Sequence, residues 1–144
     1  MMSTIESLQT RRLHPEATLP TRAHLDDAGL DLYALEDVIL SPGEGRMARS
    51  GVAFALPFGT VGMIADRSSL AKKGIKTAGG VIDAGYRGEV QVVFWNLSKE
   101  EVRIKKGERM AQMLILPVLA SAVKEVTELS DTSRGAGGFG SSGR

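Results

Sequence analysis

Along this chain the apolar positions come in short runs rich in Val and Ile, separated by turn residues, and helix-length periodic windows are scarce. That pattern predicts an all-β sandwich or barrel. Ile5 to Arg12 alternates loosely and reads as a first edge strand. In Ala28-Gly29-Leu30-Asp31-Leu32-Tyr33-Ala34, Leu30 and Leu32 share one face while Asp31 and Tyr33 point the other way. Val38 to Leu40 predicts a strand ending in the Pro42-Gly43 turn. Gly51 to Leu56 and Thr60 to Ala65 read as a strand pair around Pro57-Phe58-Gly59. Glu89 to Asn96 is the clearest strand, with Val90, Val92 and Phe94 on one face and Gln91, Val93 and Trp95 on the other. Both of its faces are partly apolar, as in an inner strand or one covered by a second subunit. Arg109 to Val118 is a long apolar strand holding one polar side chain, Gln112, whose amide requires a backbone or ligand partner. VILSPGEGRMA (38–48) also resembles VRIKKGERMA (102–111), which fits a jelly-roll-like body built from two similar hairpins.

Three stretches depart from plain strand patterning. Gly80 to Glu89 joins two β-branched segments through a glycine-punctuated turn and predicts a hairpin arm with its tip at Ala84-Gly85. Asp83 sits beside that tip and Tyr86 three residues on. A carboxylate on a rigid arm can be aimed at a substrate, although an Asp chosen for turn chemistry would look the same. Asp66 to Gly74 breaks the β pattern: Asp66 or Ser68 suits an N-cap, Leu70 to Lys73 a turn or two of helix, and Gly74 its end. Arg67, Ser68 and Ser69 at the start of such a helix are either the parts of an anion site or an ordinary connector. From Asp131 the composition shifts, and residues 134–144 hold five glycines and a single large aromatic, Phe139. This is a flexible tail by composition, yet its glycines, serines and Arg134 suit close approach to an anion, and Phe139 suits a flat ring.

Composition narrows the reading. One domain of 144 residues buries a core without staples, and no cysteine is present to form a disulfide, a thiolate nucleophile or a cysteine-ligated metal. With 18 basic and 17 acidic residues the net charge is +1, so phosphate recognition is expected to be local and no nucleic-acid stripe stands out. The apolar run around Met113 to Ala120, interrupted by Pro117, is too short to cross a bilayer, and Arg11 to Glu16 forms no export signal, so a cytoplasmic protein without a membrane partner is expected. His14 and His24 read as ordinary loop histidines.

Five segments now stand in order: AGLDLYA, RSSLAKKG, GVIDAGYRGEV, GERMAQ and RGAGGFGSSG. Their order, spacing and content resemble the trimeric dUTP pyrophosphatases (dUTPases) over nearly the whole chain. The resemblance implies a jelly-roll-like β-barrel over residues 1–130, with one short helix, and a Gly-rich arm, 131–144, that closes over the active site. It also implies a homotrimer with three sites at its subunit interfaces, where dUTP and water become dUMP and pyrophosphate with Mg²⁺. That reaction would limit uracil in DNA and supply dUMP for dTTP synthesis. Carried over by motif, Asp83 would be the general base for water, Gln112 would bond an α-phosphate oxygen or a water, and Asp31 would support the site from the barrel wall. Tyr86 would stack on deoxyribose and exclude a 2′-hydroxyl. The backbone from Ala78 through Gly80, Val81 and Ile82 would read uracil. Arg67, Ser68 and Ser69 would hold the phosphates of a neighbouring chain's substrate. Arg134, Gly138, Ser141 and Ser142 would close over the γ end, with Phe139 stacked on the base. Mg²⁺ would be held mainly by the phosphates and water, without a protein ligand set.

Three positions depart from the family's common pattern: Asp66 before Arg67, Gly85 where a second aspartate is frequent, and Thr77 where some members place an asparagine near uracil. The related dCTP deaminases share the barrel and the Arg-Ser-Ser segment, but use a glutamate at the position of Val93, which cannot shuttle protons. A non-catalytic trimer binding a nucleotide or a partner protein is the remaining alternative, and the presence of Asp83, Arg67 and the Phe139 tail weighs against it.

Overall fold

A computed structural model describes residues 7–140. Ile5, at the start of the first expected strand, and Ser141 and Ser142 lie outside them. The chain runs β1 (Gln9–Arg12), β2 (Leu30–Tyr33), β3 (Val38–Leu40), β4 (Gly45–Arg49), β5 (Val52–Ala55) and β6 (Thr60–Ala65). It continues through α1 (Ser68–Ala71), β7 (Ile75–Ala78), β8 (Val81–Asp83), β9 (Gln91–Asn96), β10 (Val102–Ile104) and β11 (Arg109–Pro117). The fold is nearly all-β, as the short apolar runs predict, and jelly-roll-like, as the resemblance implies.

The pairing differs from the hairpins expected. All pairs are antiparallel, in a four-stranded sheet β2-β11-β6-β8, a three-stranded sheet β4-β9-β7, and the pairs β1-β5 and β10-β3. The turn at 57–59 does not close β5 on β6: β5 pairs with β1, and β6 with β11 and β8. The arm at 80–89 is likewise no two-stranded hairpin, because β8 joins β6 and β9 lies between β4 and β7. The two similar segments at 38–48 and 102–111 are arches whose first strands pair with each other, Val38 opposite Ile104 and Leu40 opposite Val102. Each turn reverses the chain, but the strand after it has its apolar face satisfied in another sheet.

The core lies between the sheets. Leu32, Leu40, Val52, Val90, Val92, Phe94, Ile104, Met110 and Met113 are buried, each such side chain contributing about 1.5–3 kcal/mol. Asn96 is buried among them with its amide satisfied: Nδ2 donates to Leu40 O and Glu100 O, both at 2.8 Å, and Oδ1 accepts from Ser98 N at 2.9 Å. It pins the end of β9 to β3 and to the loop before β10. Helix α1 is a single turn with Arg67 as N-cap and no side-chain capping bond, so neither Asp66 nor Ser68 caps it. Gly74 follows at φ +83°, a left-handed conformation that suits glycine. No helix among the described residues is long and apolar enough to cross a membrane.

Candidate active site

At one end of the four-stranded sheet, Asp31 on β2 stands opposite Gln112 on β11, which stands opposite Ala65 at the end of β6. The chain then turns through Asp66 into Arg67. Arg67 Nη1 donates to Arg109 O at 3.0 Å, and its Nε lies 3.8 Å from Asp31 Oδ1; Arg109 Nε lies 3.7 Å from Asp31 Oδ2. One carboxylate therefore faces two guanidiniums, leaving a net positive point at the mouth of the sheet. Tyr33 adds to it: its hydroxyl pairs with Thr21 Oγ1 at 2.6 Å, and that bond, with Arg109 beside it, holds the phenol below its ordinary pKa. Ser68 and Ser69 are exposed, and their hydroxyls make no bond among the described residues. Arg67, Ser69, Lys73, Arg103 and Arg109 line a cavity of about 230 Å³ in which Glu108 is the one carboxylate. These are the donors an oligophosphate needs.

Gln112 meets one of the two partners left open for it. Its Nε2 donates to Asp66 O at 2.8 Å. The amide lies so close over Gly29 that any Cβ there would collide with Gln112 Oε1 and come within 2.8 Å of its Cδ. The glycine is thus what lets the amide lie in this position.

Further along the sheet, β8 sets Asp83 opposite Val61 and Ile82 opposite Gly62. Tyr86 N donates to Asp83 O at 3.1 Å and closes the turn, and Arg87 Nη1 staples it by donating to Ala84 O at 2.7 Å. Tyr86 Oη donates to Glu89 O at 2.9 Å. The Glu89 carboxylate in turn takes Arg49 Nη2 at 3.1 Å and Gly51 N at 3.0 Å. A Cβ on Gly88 would stand 2.5 Å from Tyr86 Oη, so the ring depends on that glycine. Asp83 itself is exposed, and among the described residues nothing bonds its carboxylate. Val81 is 61% and Tyr86 45% exposed beside it. With Met47, Ile82, Glu89 and Gln91 they line a cavity of about 220 Å³. Ala78, opposite Val93, ends β7, and Gly80 uses its carbonyl to accept from Ile64 N at 2.8 Å.

Register gives the relation between the two groups. Ala65 and Val61 lie on one face of β6, so Asp31, Gln112 and Asp83 share a face of the sheet. Gln112 and Asp83 are nevertheless four residues and two strands apart, roughly 16 Å at ordinary strand spacings. One chain does not bring them to one reacting atom. In the tail, Arg134 Nε donates to Gly137 O at 2.7 Å, and Phe139 is fully exposed at φ +53°. Gly138 is partly covered, with Arg134 close by.

Sequence reading missed Arg109, Glu89 with Arg49, and the role of Asp66. Arg109 was visible in GERMAQ, but its approach to Asp31 follows a register shift between Arg109 and Ala111 on β11. Asp66 reaches Thr77, eleven residues on, with both Oδ1 bonds (2.7 Å to N, 2.6 Å to Oγ1), and Lys76 Nζ with Oδ2 at 2.7 Å.

A jelly-roll-like fold gathers cationic and hydroxyl donors at one end of a sheet and, further along it, presents beside an exposed aromatic ring a carboxylate that is unbonded among the described residues, an arrangement that suits a nucleotide-handling β protein. The chain belongs to the dUTPase family, whose profile matches residues 15–143. It is 47% identical over 146 residues to the deoxyuridine 5'-triphosphate nucleotidohydrolase of Nocardia farcinica, covering 99% of this chain and 88% of that one. Among solved structures, the Staphylococcus bacteriophage 80alpha dUTPase with dUpNHpp superposes with a TM-score of 0.89 at 34% identity, covering 96% of this chain and 99% of that one. A dUTPase of the S. aureus phage phi11, described with a structural Mg(II) ion, gives 0.80 at 29% identity, covering 85% and 98%.

Proposed function

We propose that this chain hydrolyses dUTP to dUMP and pyrophosphate, with Asp83 as the base. The observation that carries the reading is the Asp83 carboxylate, unbonded among the described residues, held on the turn closed by Tyr86 N and presented beside the Tyr86 ring. Asp83 takes a proton from water, and the water oxygen attacks the α-phosphorus. The bond from that phosphorus to the bridging oxygen breaks, and its electron pair leaves with pyrophosphate. Arg67, with Ser68 and Ser69, bonds the phosphate oxygens; Gln112 orients the α-phosphate or a water, and Asp31 holds Arg67 in place. Tyr86 packs on the deoxyribose, and the backbone of Ala78, Gly80, Val81 and Ile82 reads the base. Arg134, Gly138 and Phe139, with Ser141 and Ser142 beyond the described residues, would close over the nucleotide as a tail.

Mg²⁺ fits as a companion of the substrate. Its ligands would come mainly from the triphosphate and water, as a hard cation carried by its substrate takes them. When bound it neutralises phosphate charge. A homotrimer is supported by the roughly 16 Å between Gln112 and Asp83, which a neighbouring chain would bridge. It is also supported by an exposed apolar series after β11, with Leu119 at 91%, Val123 at 99% and Leu129 at 86%. The working compartment we assign is the cytoplasm, with its deoxynucleotide pool.

The test is pyrophosphate release from dUTP, dTTP, dCTP and UTP with Mg²⁺, for the wild type and Asp83→Asn. Turnover of dUTP alone, reduced about 10²–10⁴-fold in the variant, is expected. A wild type that leaves dUTP intact would remove the enzyme reading.

A further inference from the structure

Asp66 takes no part in the chemistry above, yet three elements of the site meet on it. Its Oδ1 accepts from the N–H and the hydroxyl of Thr77, its Oδ2 from Lys76, and its main-chain carbonyl from the Gln112 amide. The next residue is Arg67. Thr77 immediately precedes Ala78, where the base-reading backbone begins, and Gln112 belongs to β11. The carboxylate does not serve the helix, since α1 has no side-chain cap. Its pair with Lys76 is exposed on the lysine side, with the Lys76 side chain 59% and the Asp66 side chain 25% exposed, so it steadies the carboxylate's charge without fixing its direction. What remains is Thr77, which is 9% exposed and has its hydroxyl turned to Asp66. A carboxylate is the side chain that accepts from an N–H and an O–H together, with lone pairs left for a third donor.

We propose that Asp66 and Thr77 form a positioning pair that sets the spacing between the phosphate-facing loop at Arg67–Ser69 and the base-facing strand that starts at Ala78, with Gln112 registered to the same residue. This rests on the dUTP-hydrolase reading above. Both partners lie in one chain, so in a closed threefold assembly the spacing they set is repeated at every site, including sites shared between chains. Two of the three departures from the common family pattern, Asp66 and Thr77, are on this view one feature: the residue that could have reached toward the base is committed to Asp66 instead.

The test uses the full chain and four variants: Asp66→Ala, Asp66→Asn, Thr77→Val and Thr77→Ser. Steady-state kinetics with Mg²⁺–dUTP are read beside equilibrium binding of dUMP, of pyrophosphate and of dUpNHpp, with the melting temperature of each variant. Asp66→Ala is expected to lose about 10²-fold in kcat/KM, the order associated with a misplacement of about 1 Å. Asp66→Asn and Thr77→Ser, which keep an acceptor or a hydroxyl, recover most of the activity. Binding of dUMP and of pyrophosphate stays as in the wild type, while binding of dUpNHpp, which spans both regions, weakens. The double variant Asp66→Ala/Thr77→Val is no worse than Asp66→Ala alone. A merely structural role would lower the melting temperature and leave the kinetics unchanged, and that result overturns the proposal. So does equal weakening of dUMP and dUpNHpp, or full additivity in the double variant. Should Asp66→Ala fail to fold, the near-isosteric Thr77→Val decides: wild-type kinetics and binding in it refute the pair. If the wild type does not cleave dUTP, the functional reading falls by itself, and the comparison of dUMP with dUpNHpp binding still decides the pair.

Discussion

Gly88→Ala separates the position of Tyr86 from the stability of the fold. The added Cβ would meet Tyr86 Oη at 2.5 Å, Cζ at 2.7 Å and Cε2 at 3.0 Å. Carbon atoms in contact sit about 3.5–4.0 Å apart, so the ring must retreat by about 1 Å. The ring is 45% exposed and free to swing outward. A retreat of that size takes its hydroxyl out of reach of Glu89 O, now 2.9 Å away. Losing that bond costs about 0.5–1.5 kcal/mol. The backbone at Gly88 is not in the left-handed region, so alanine is allowed there and stiffens the unfolded chain by about 0.4–1 kcal/mol in the opposite direction. The two terms nearly cancel, and calorimetry should find a melting temperature close to the wild type's. Activity should not be spared. A ring about 1 Å from the place proposed for it against the sugar is expected to lower kcat/KM for dUTP by about 10²-fold and to narrow the preference for dUTP over UTP. The assay is pyrophosphate release from both nucleotides, beside the melting curve. Wild-type rates and preference in a folded variant would refute the link between Gly88, the ring and the sugar. A large drop in melting temperature would refute the claim that the effect is local.

Three further outcomes are expected. Gly29→Ala pushes the Gln112 amide off Asp66 O and should lower kcat/KM by about tenfold, the worth of one hydrogen bond; Gln112→Ala added to it should cause little further loss. Burial raises the Asp66 carboxyl, but the bonds from Lys76 and Thr77 outweigh it and hold the group below its ordinary pKa. Its contribution to stability is therefore full above the unfolded value of about 3.9 and fades as pH falls through the lower folded value. The difference in urea midpoint between wild type and Asp66→Asn should accordingly shrink as pH drops below about 4, and a widening gap would contradict the assignment. Finally, Asp83→Asn and Arg67→Ala subunits, each nearly inactive, should regain activity when mixed, since statistical assembly leaves about a quarter of shared sites intact. No recovery after confirmed subunit exchange would count against sites built from two chains.

Much of the strand content was legible because burial alternates where the residues do: Leu30 and Leu32 inward with Asp31 and Tyr33 outward, and Val90, Val92 and Phe94 inward on and before β9. What could not be read was which strands meet. Pro57-Phe58-Gly59 and Ala84-Gly85 report that the chain reverses, and a reversal looks the same whether the next strand pairs back or crosses to another sheet. The candidate site divides the same way. Asp83, Tyr86 and Arg67 stand in local motifs and were named. Arg109 reaches Asp31 after a register shift, and Asp66 was read as a local cap because no short-range pattern says that two donors wait for it at Thr77.

The arches that replace hairpins bear on how the chain is made. Among the described residues no strand pairs with its immediate successor, and β11, the last to be synthesised, lies between β2 and β6. Folding therefore begins without a local nucleus, and its rate should be that of a protein of high contact order, toward the millisecond-to-second end. A nascent chain that has emerged only to Lys106 holds β2 and β6 with nothing to join them, and the β2 edge and the β6 edge away from β8 stay open to other chains or to a chaperone until Arg109–Pro117 arrives.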